Sequence, residues 1–434
     1  MNGKFSRVIN PFPTDTLVIP EVVYESGAVL LEGSQGSFQS LSHSFNLTPN
    51  QASVAAMLDS ASSDKRATKL VTYLDGRNVS DLQGDFDRIA PTDVASVFRL
   101  GTSLADVQTR NIQRRTSDLR AGTSGFSAAG FQASGTGPNY SGGLAGPNGS
   151  PDGAPGKDAA PDRRLGVFLT GAGDFVHVGS TENARGYDLS TGGLTLGVDY
   201  KLTQNFAVGL SVGYAGTDSQ LHDDGRLRMN GGKVGAYGTY YDGGFYSDLA
   251  VSGGLSNYNV RRSALQGYAS GTTQGAEIDG AIDAGYDWRL DALTIGPTAT
   301  FQYTYMGIDG FTEHGSLAPL KYGSQHGQSA RFSLGLKASY DWKLGNVLVR
   351  PEVQIAWQHE FADQSYSIDS SLASGAGSLF TVNDPSIARD SLLLGGGVAV
   401  LWNPRTSTYI YYDADLLRRE YTEQSITGGL KVNF

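Results

Sequence analysis

The feature that most restricts this chain is a strict apolar/polar alternation, repeated in long segments through residues 164–434. In residues 331–342, Phe332, Leu334, Leu336, Ala338, Tyr340 and Trp342 share one parity, and Arg331, Ser333, Gly335, Lys337, Ser339 and Asp341 the other. Successive strand side chains point to opposite faces, so this is a strand with one greasy and one wet face. Residues 347–361 repeat the pattern, with Val347, Val349, Val353, Ile355 and Trp357 opposed to Arg350, Glu352, Gln354, Gln358 and Glu360. A soluble sandwich and a membrane barrel can both produce it. Length separates them: soluble strands usually run about five or six residues, whereas these run roughly 10 to 17, enough to cross a bilayer with tilt.

The joints alternate between short and long. Five tight ones each follow an aromatic: Tyr200 before residues 201–205, Tyr240 before 242–244, Trp288 before 289–292, Trp342 before 343–346 and Trp402 before 403–406. An aromatic ring at one level suits a membrane interface, because these side chains are apolar in body and polar at the tip. The intervening connections are longer and polar: residues 179–186, 217–225, 261–274, 315–328 and 364–388. Twelve strands are predicted, beginning near Arg164, Gly186, Asn205, Arg226, Gly244, Thr273, Leu293, Gln328, Asn346, Arg389, Arg405 and Glu420. The even number puts both barrel ends on the short-turn side. The expected fold is all-β, a 12-stranded antiparallel transmembrane β-barrel of residues 164–434.

Composition agrees. The chain has 58 Gly, 22 Tyr, 18 Phe and no Cys, with only 39% hydrophobic residues, and no window of some 18 apolar residues for a membrane helix. A net charge of −10 argues against a nucleic-acid partner. Met1 to Pro20 has Lys4 and Arg7 but no apolar core, so a secretory signal is expected upstream of this chain.

Residues 1–45 read as an extended segment. Thr48-Pro49 opens a helix, Thr as N-cap and Pro at the first position, and residues 46–90 form a small helical module with helices over 51–62, 66–74 and 81–89. In residues 91–121, Val97, Leu100, Leu104 and Val107 make an apolar helical stripe that gives way to basic residues around Asn111, namely Arg110, Arg114, Arg115 and Arg120. The Gly-rich residues 122–163 read as a linker. If the upstream part is outside the cell and the barrel starts on its inner side, the only aqueous route for this helix is the lumen. Twelve strands close at a backbone diameter of roughly 24 Å, narrowed by side chains to about 12 Å, one helix wide. On the sixth strand, Glu277, Asp279, Asp283 and Asp287 take lumen parity and are the expected partners of the arginines.

This ordered ensemble, from Leu165-Gly-Val-Phe-Leu-Thr-Gly-Ala-Gly-Asp-Phe175 to the terminal Lys-Val-Asn-Phe434, resembles the autotransporters of Gram-negative bacteria (type V secretion). The resemblance implies an outer-membrane translocator that anchors an N-terminal passenger at the cell surface, residues 1–45 being the passenger's end. It also implies outer-membrane lipid, the barrel assembly machinery and the chain's own passenger as partners, a monomer, no cofactor and no metal. The final strand ending on Phe434 resembles the C-terminal signal read by that machinery. Some members cut the passenger off by cyclisation of the first Asn of an Asn-Asn pair in the luminal helix. Here Arg110 stands before Asn111, so self-cleavage is not expected.

Two rivals remain, a porin-like channel and an outer-membrane barrel hydrolase. A porin would not need the N-terminal residues. Catalysis needs a base near a nucleophile or water, and the six His are scattered with no Gly-x-Ser-x-Gly elbow. Only His177 near Asp174 and His359 beside Glu360 stand out, and no catalytic residue is assigned.

Overall fold

A computed structural model describes residues 16–43, 45–120, 125–128, 164–345, 347–403 and 406–432. Most of the Gly-rich 122–163 segment, and Phe434, lie outside the described residues. Twelve strands close antiparallel, each on its chain neighbours. They are β1 (Leu165–Val178), β2 (Tyr187–Lys201), β3 (Phe206–Gln220), β4 (Arg226–Asp242), β5 (Phe245–Ala264) and β6 (Gly267–Tyr286). The second half is β7 (Leu293–Ile308), β8 (Gln325–Tyr340), β9 (Val347–Glu360), β10 (Asp390–Asn403), β11 (Thr406–Arg418) and β12 (Tyr421–Val432). At the short-turn end a further strand, Gly125–Ala128, lies between β1 and β12, parallel to the former and antiparallel to the latter.

Leu194, Leu210, Val234, Leu255, Ile278, Leu334, Val353 and Ile410 are exposed on the outer wall, while Thr195, Ser211, Lys233, Ser256 and Glu277 are buried on the inner one. Greasy outside and polar inside is the membrane-barrel arrangement, and it rules out the sandwich. No helix among the described residues is long and apolar enough to cross a membrane.

Two expected boundaries change. The connection placed at residues 261–274 is a hairpin turning at Leu265 and Gln266, so β6 starts at Gly267 instead of Thr273. Gln266 and Gly267 take positive φ of 57° and 134°, which glycine tolerates. Above the apolar band both faces of this hairpin are polar in places, and the alternation that marks a strand fades from the sequence although the ladder continues. The 315–328 and 364–388 connections also contain strands: with Phe311–Thr312 they build a four-stranded sheet of Leu320–Tyr322, Ser367–Leu372 and Phe380–Asn383 over the barrel mouth.

The N-terminal residues pack against that mouth. A hairpin (Val18–Glu25 with Ala28–Gln35) leads to helices α1 (Pro49–Ala61), α2 (Thr68–Asp75) and α3 (Val79–Ile89). Thr48 caps α1: its side chain accepts from the Gln51 amide while Gln51 reaches back to the Thr48 amide, satisfying two helix-end donors. Phe38, Val54, Met57, Leu58, Leu74, Leu82 and Phe86 share one apolar core with Leu265, Leu320, Phe380 and Val382 of the long-loop end. Then α4 (Ser96–Arg120) descends through the lumen, 25 residues or about 37 Å long.

Candidate functional site: the occupied lumen

The upper part of α4 belongs to the cap. Val97, Phe98, Leu100 and Leu104 join the apolar core, and Phe98 sits 5.0 Å from the Tyr366 ring. Arg99 bonds Asp384 at 3.2 Å and donates to the Gln364 carbonyl at 3.0 Å, tying the helix to the longest loop. Burial pushes the Asp384 carboxyl up, and the Arg99 guanidinium opposes the shift. Asn50 makes the equivalent tie for α1: its amide nitrogen donates to the carbonyls of Asn183 and Asn383, both at 2.8 Å. From β5, Arg262 grips Glu313 at 2.8 and 2.9 Å and donates to the Arg88 carbonyl at the end of α3.

Below this level the packing turns ionic. Arg110 bonds Asp174 on β1 at 2.8 Å and Glu423 on β12 at 2.5 Å. Arg114 bonds Asp413 on β11 at 2.7 Å and lies 4.2 Å over the Tyr411 ring. The fully buried Arg115 makes a two-pronged bond to Asp199 on β2, at 2.6 and 2.9 Å, and the Tyr237 hydroxyl donates to the same carboxylate at 2.9 Å. Two parallel bonds fix direction as well as distance. A Cβ at Gly166 would collide with both members of this pair, so glycine is what leaves room for it. Arg120 pairs with Asp248 on β5, which Thr116 also bonds at 2.8 Å. In one place the polarity reverses: Asp106 of α4 takes Arg331 of β8, and Gln302 of β7 donates to it at 2.9 Å. Asn111 bonds Thr195 at 3.0 Å.

Of the acids expected to hold the arginines, Asp283 interacts electrostatically with Arg120, while the other three pair with lysines of the wall. Glu277 and Asp279 are bound by Lys233 of the neighbouring wall, the former at 3.0 Å. Glu277 lies beside Gly101, more than two turns above Arg110, and the wall supplies the cation for both acids. Asp283 accepts from Thr298 at 3.2 Å, and Asp287 pairs with Lys337 at 3.1 Å. The acids that do meet the helix share one readable signal, an inward parity on their strands, but they come from five different strands. His177 and His359 sit on the outer wall, bonded to Asp188 at 2.7 Å and Asp390 at 2.8 Å, away from Asp174 and Glu360, so neither histidine reaches the lumen. Tyr200, Tyr240, Trp288, Trp342 and Trp402 stand outward at the short-turn end, 43% to 55% exposed.

Comparison with known proteins fits this architecture. Residues 167–413, more than half of the chain, match the family described as autotransporter beta-domain. The extracellular serine protease of Serratia marcescens is 27% identical over 62% of this chain, which spans 26% of that protein. Esterase EstA of Pseudomonas aeruginosa is 27% identical over 50% of this chain, which spans 34% of it. Among solved structures, the translocator domain of autotransporter NalP from Neisseria meningitidis has the same fold, with a TM-score of 0.50 at 14% identity over 62% of this chain and 88% of that one. A lumen filled by the chain's own helix disfavours the porin reading, and the translocator barrel is not itself catalytic. An outer-membrane barrel that exports a passenger is what remains, and the chain belongs to the autotransporter β-domain family.

Proposed function

We propose that α4 stays in the lumen as a plug once export is complete, and that residues 46–90 stay on the mouth as a cap. The passenger, ending at about residue 45, then remains joined to its anchor. The observation that carries this reading is the set of ion pairs between Arg110, Arg114, Arg115 and Arg120 and acids of five strands. Buried as they are, such pairs are stronger and less screened than on a surface. At the position where cleaving members carry the first Asn, Arg110 is an anchor, which supports an uncleaved passenger. The outward Tyr200, Tyr240, Trp288, Trp342 and Trp402 seat a monomeric barrel at the inner interface. The terminal strand with Phe434 serves the barrel assembly machinery. Enzymatic or adhesive activity belongs to the passenger.

Planar-bilayer recording tests the plug. The wild type should pass little current, and the double variant Asp199→Ala, Asp248→Ala should raise single-channel conductance several-fold; an unchanged conductance would count against the plug. Gel analysis of untreated cells should show one full-length band, and a separate barrel-sized fragment would sink the uncleaved reading.

A further inference from the structure

The outer wall differs from side to side above its apolar band. On β4 the outward positions run Tyr240, Gly238, Ala236, Val234, Gly232, Asn230, Arg228 and Arg226. With about 3.3 Å rise per residue and a tilt near 40°, Arg228 and Arg226 stand roughly 30 and 35 Å above Tyr240. The lipid-facing band is about 25 Å tall, so both stand at headgroup level. Arg226 is directly paired in register with Arg261 of β5, also outward. Like charges facing each other across a ladder are destabilising unless something neutralises them. Asp218 of β3 does so in part, bonding Arg226 at 2.6 Å and Arg228 at 3.5 Å. Arg261 has no carboxylate at ion-pair distance among the described residues. It lies 3.7 Å over the Tyr268 ring and donates to the Asp224 carbonyl at 3.5 Å. In the turn above, Asp223 pairs with Arg185 and Asp224 is exposed. Asn257, Asn259 and Gln274 flank the arginines on the same face. Across the barrel, β7–β10 carry Tyr305, His326, His359 and Phe361 at that height, with no arginine or lysine among the described outward positions.

We propose that Arg226, Arg228 and Arg261 form a binding site for the phosphorylated sugar headgroup of an outer-leaflet glycolipid, whose acyl chains lie on Val212, Val234 and Leu255 below. Three arginines against Asp218 and the exposed Asp224 leave one positive charge in surplus for phosphate, the forked guanidinium suits phosphate geometry, and the neighbouring amides suit sugar hydroxyls. The proposal rests on the long-loop end lying outside the cell.

Native mass spectrometry of the purified full chain tests it. The probes are bisphosphorylated lipid A, its dephosphorylated form, phosphatidylglycerol and inorganic phosphate. The wild type should retain bisphosphorylated lipid A in preference to the other three, and R226Q/R228Q/R261Q should lower its occupancy roughly tenfold or more while the heat-modifiable band on gels persists. R261Q alone, which breaks no ion pair, should lower it measurably, and R185Q should not. Equal retention of the dephosphorylated lipid or of phosphatidylglycerol, displacement by inorganic phosphate, or indifference to R261Q overturns the site. Labelling of a Gln266→Cys variant on intact cells with a membrane-impermeant maleimide separates the two readings. If Cys is labelled and lipid A is not retained, the site alone fails; if it is not labelled from outside, the orientation fails and the site with it.

Discussion

The two ends of the barrel interior are filled by different physics. At the long-loop end the cap is an apolar core shared by three helices, the loop sheet and the first turns of α4. Deeper in the lumen the same helix is held by charge, and the buried apolar contacts shrink to a small cluster of Ile112, Leu119, Phe168, Ala207 and Tyr237. A channel wall that must be wetted while a chain passes cannot offer a greasy surface, so its grip on a resident helix has to come from ions and hydrogen bonds. The cap faces no such requirement and can use burial. The difference is one of specificity: an apolar cap tolerates small shifts, whereas the two-pronged Arg115 pair accepts one rotation and one height of the helix.

That contrast can be broken experimentally. The largest effect is expected from Asp199→Ala. It leaves the buried Arg115 without its carboxylate, and stranding one member of a buried pair costs about 3–5 kcal/mol. The urea midpoint for unfolding of the purified barrel should fall, and if it does not, charge is not what holds the helix. Next, Leu58→Ala in the cap core should cost about 2–5 kcal/mol, since it leaves a cavity under α1. Hydrogen exchange should then speed up in α1 and α3 while the amides of residues 106–120 stay protected; equal loss in both would show that cap and plug form one cooperative unit. Thr48→Ala removes the reciprocal N-cap and should cost about 1 kcal/mol, visible as fraying of the first turn of α1 and nowhere else.

The smallest effect is a pH dependence confined to the cap. Burial pushes the Asp93 carboxyl up, against the pull of Arg262, Arg185 and His222 and with a like-charge push from Asp223. A folded-state value above the unfolded one means the folded cap holds its proton more tightly, so cap stability falls as pH rises through the ordinary carboxylate range. Asp93→Asn should therefore protect the cap amides at neutral pH and have no effect at pH 3. A gain at both pH values would point to packing rather than ionisation.

Much of this was legible in the residues. Parity gave the lipid-facing side of each strand, because alternation is a local property that a bilayer enforces over long segments. The Thr48-Pro49 start and the change from apolar to basic along residues 97–120 were legible for the same reason: capping and helical spacing are settled within one or two turns. The partners of the arginines were not. Asp174, Asp199, Asp248, Asp413 and Glu423 become neighbours of one helix only through barrel closure, and nothing in the spacing of Glu277 and Asp279 reveals that Lys233 reaches them first. The β5–β6 hairpin is not legible because its upper part lies above the membrane, where selection for greasy outward residues stops. The loop sheet is not legible because strands of two to six residues leave too little periodicity to read.

Arg110 touches β1 and β12 at once, the two staves that meet last in a cylinder built from consecutive hairpins. A single guanidinium thus works as a clasp on the join. A cylinder lacking its rod loses that tie and should gape along this one line before any other.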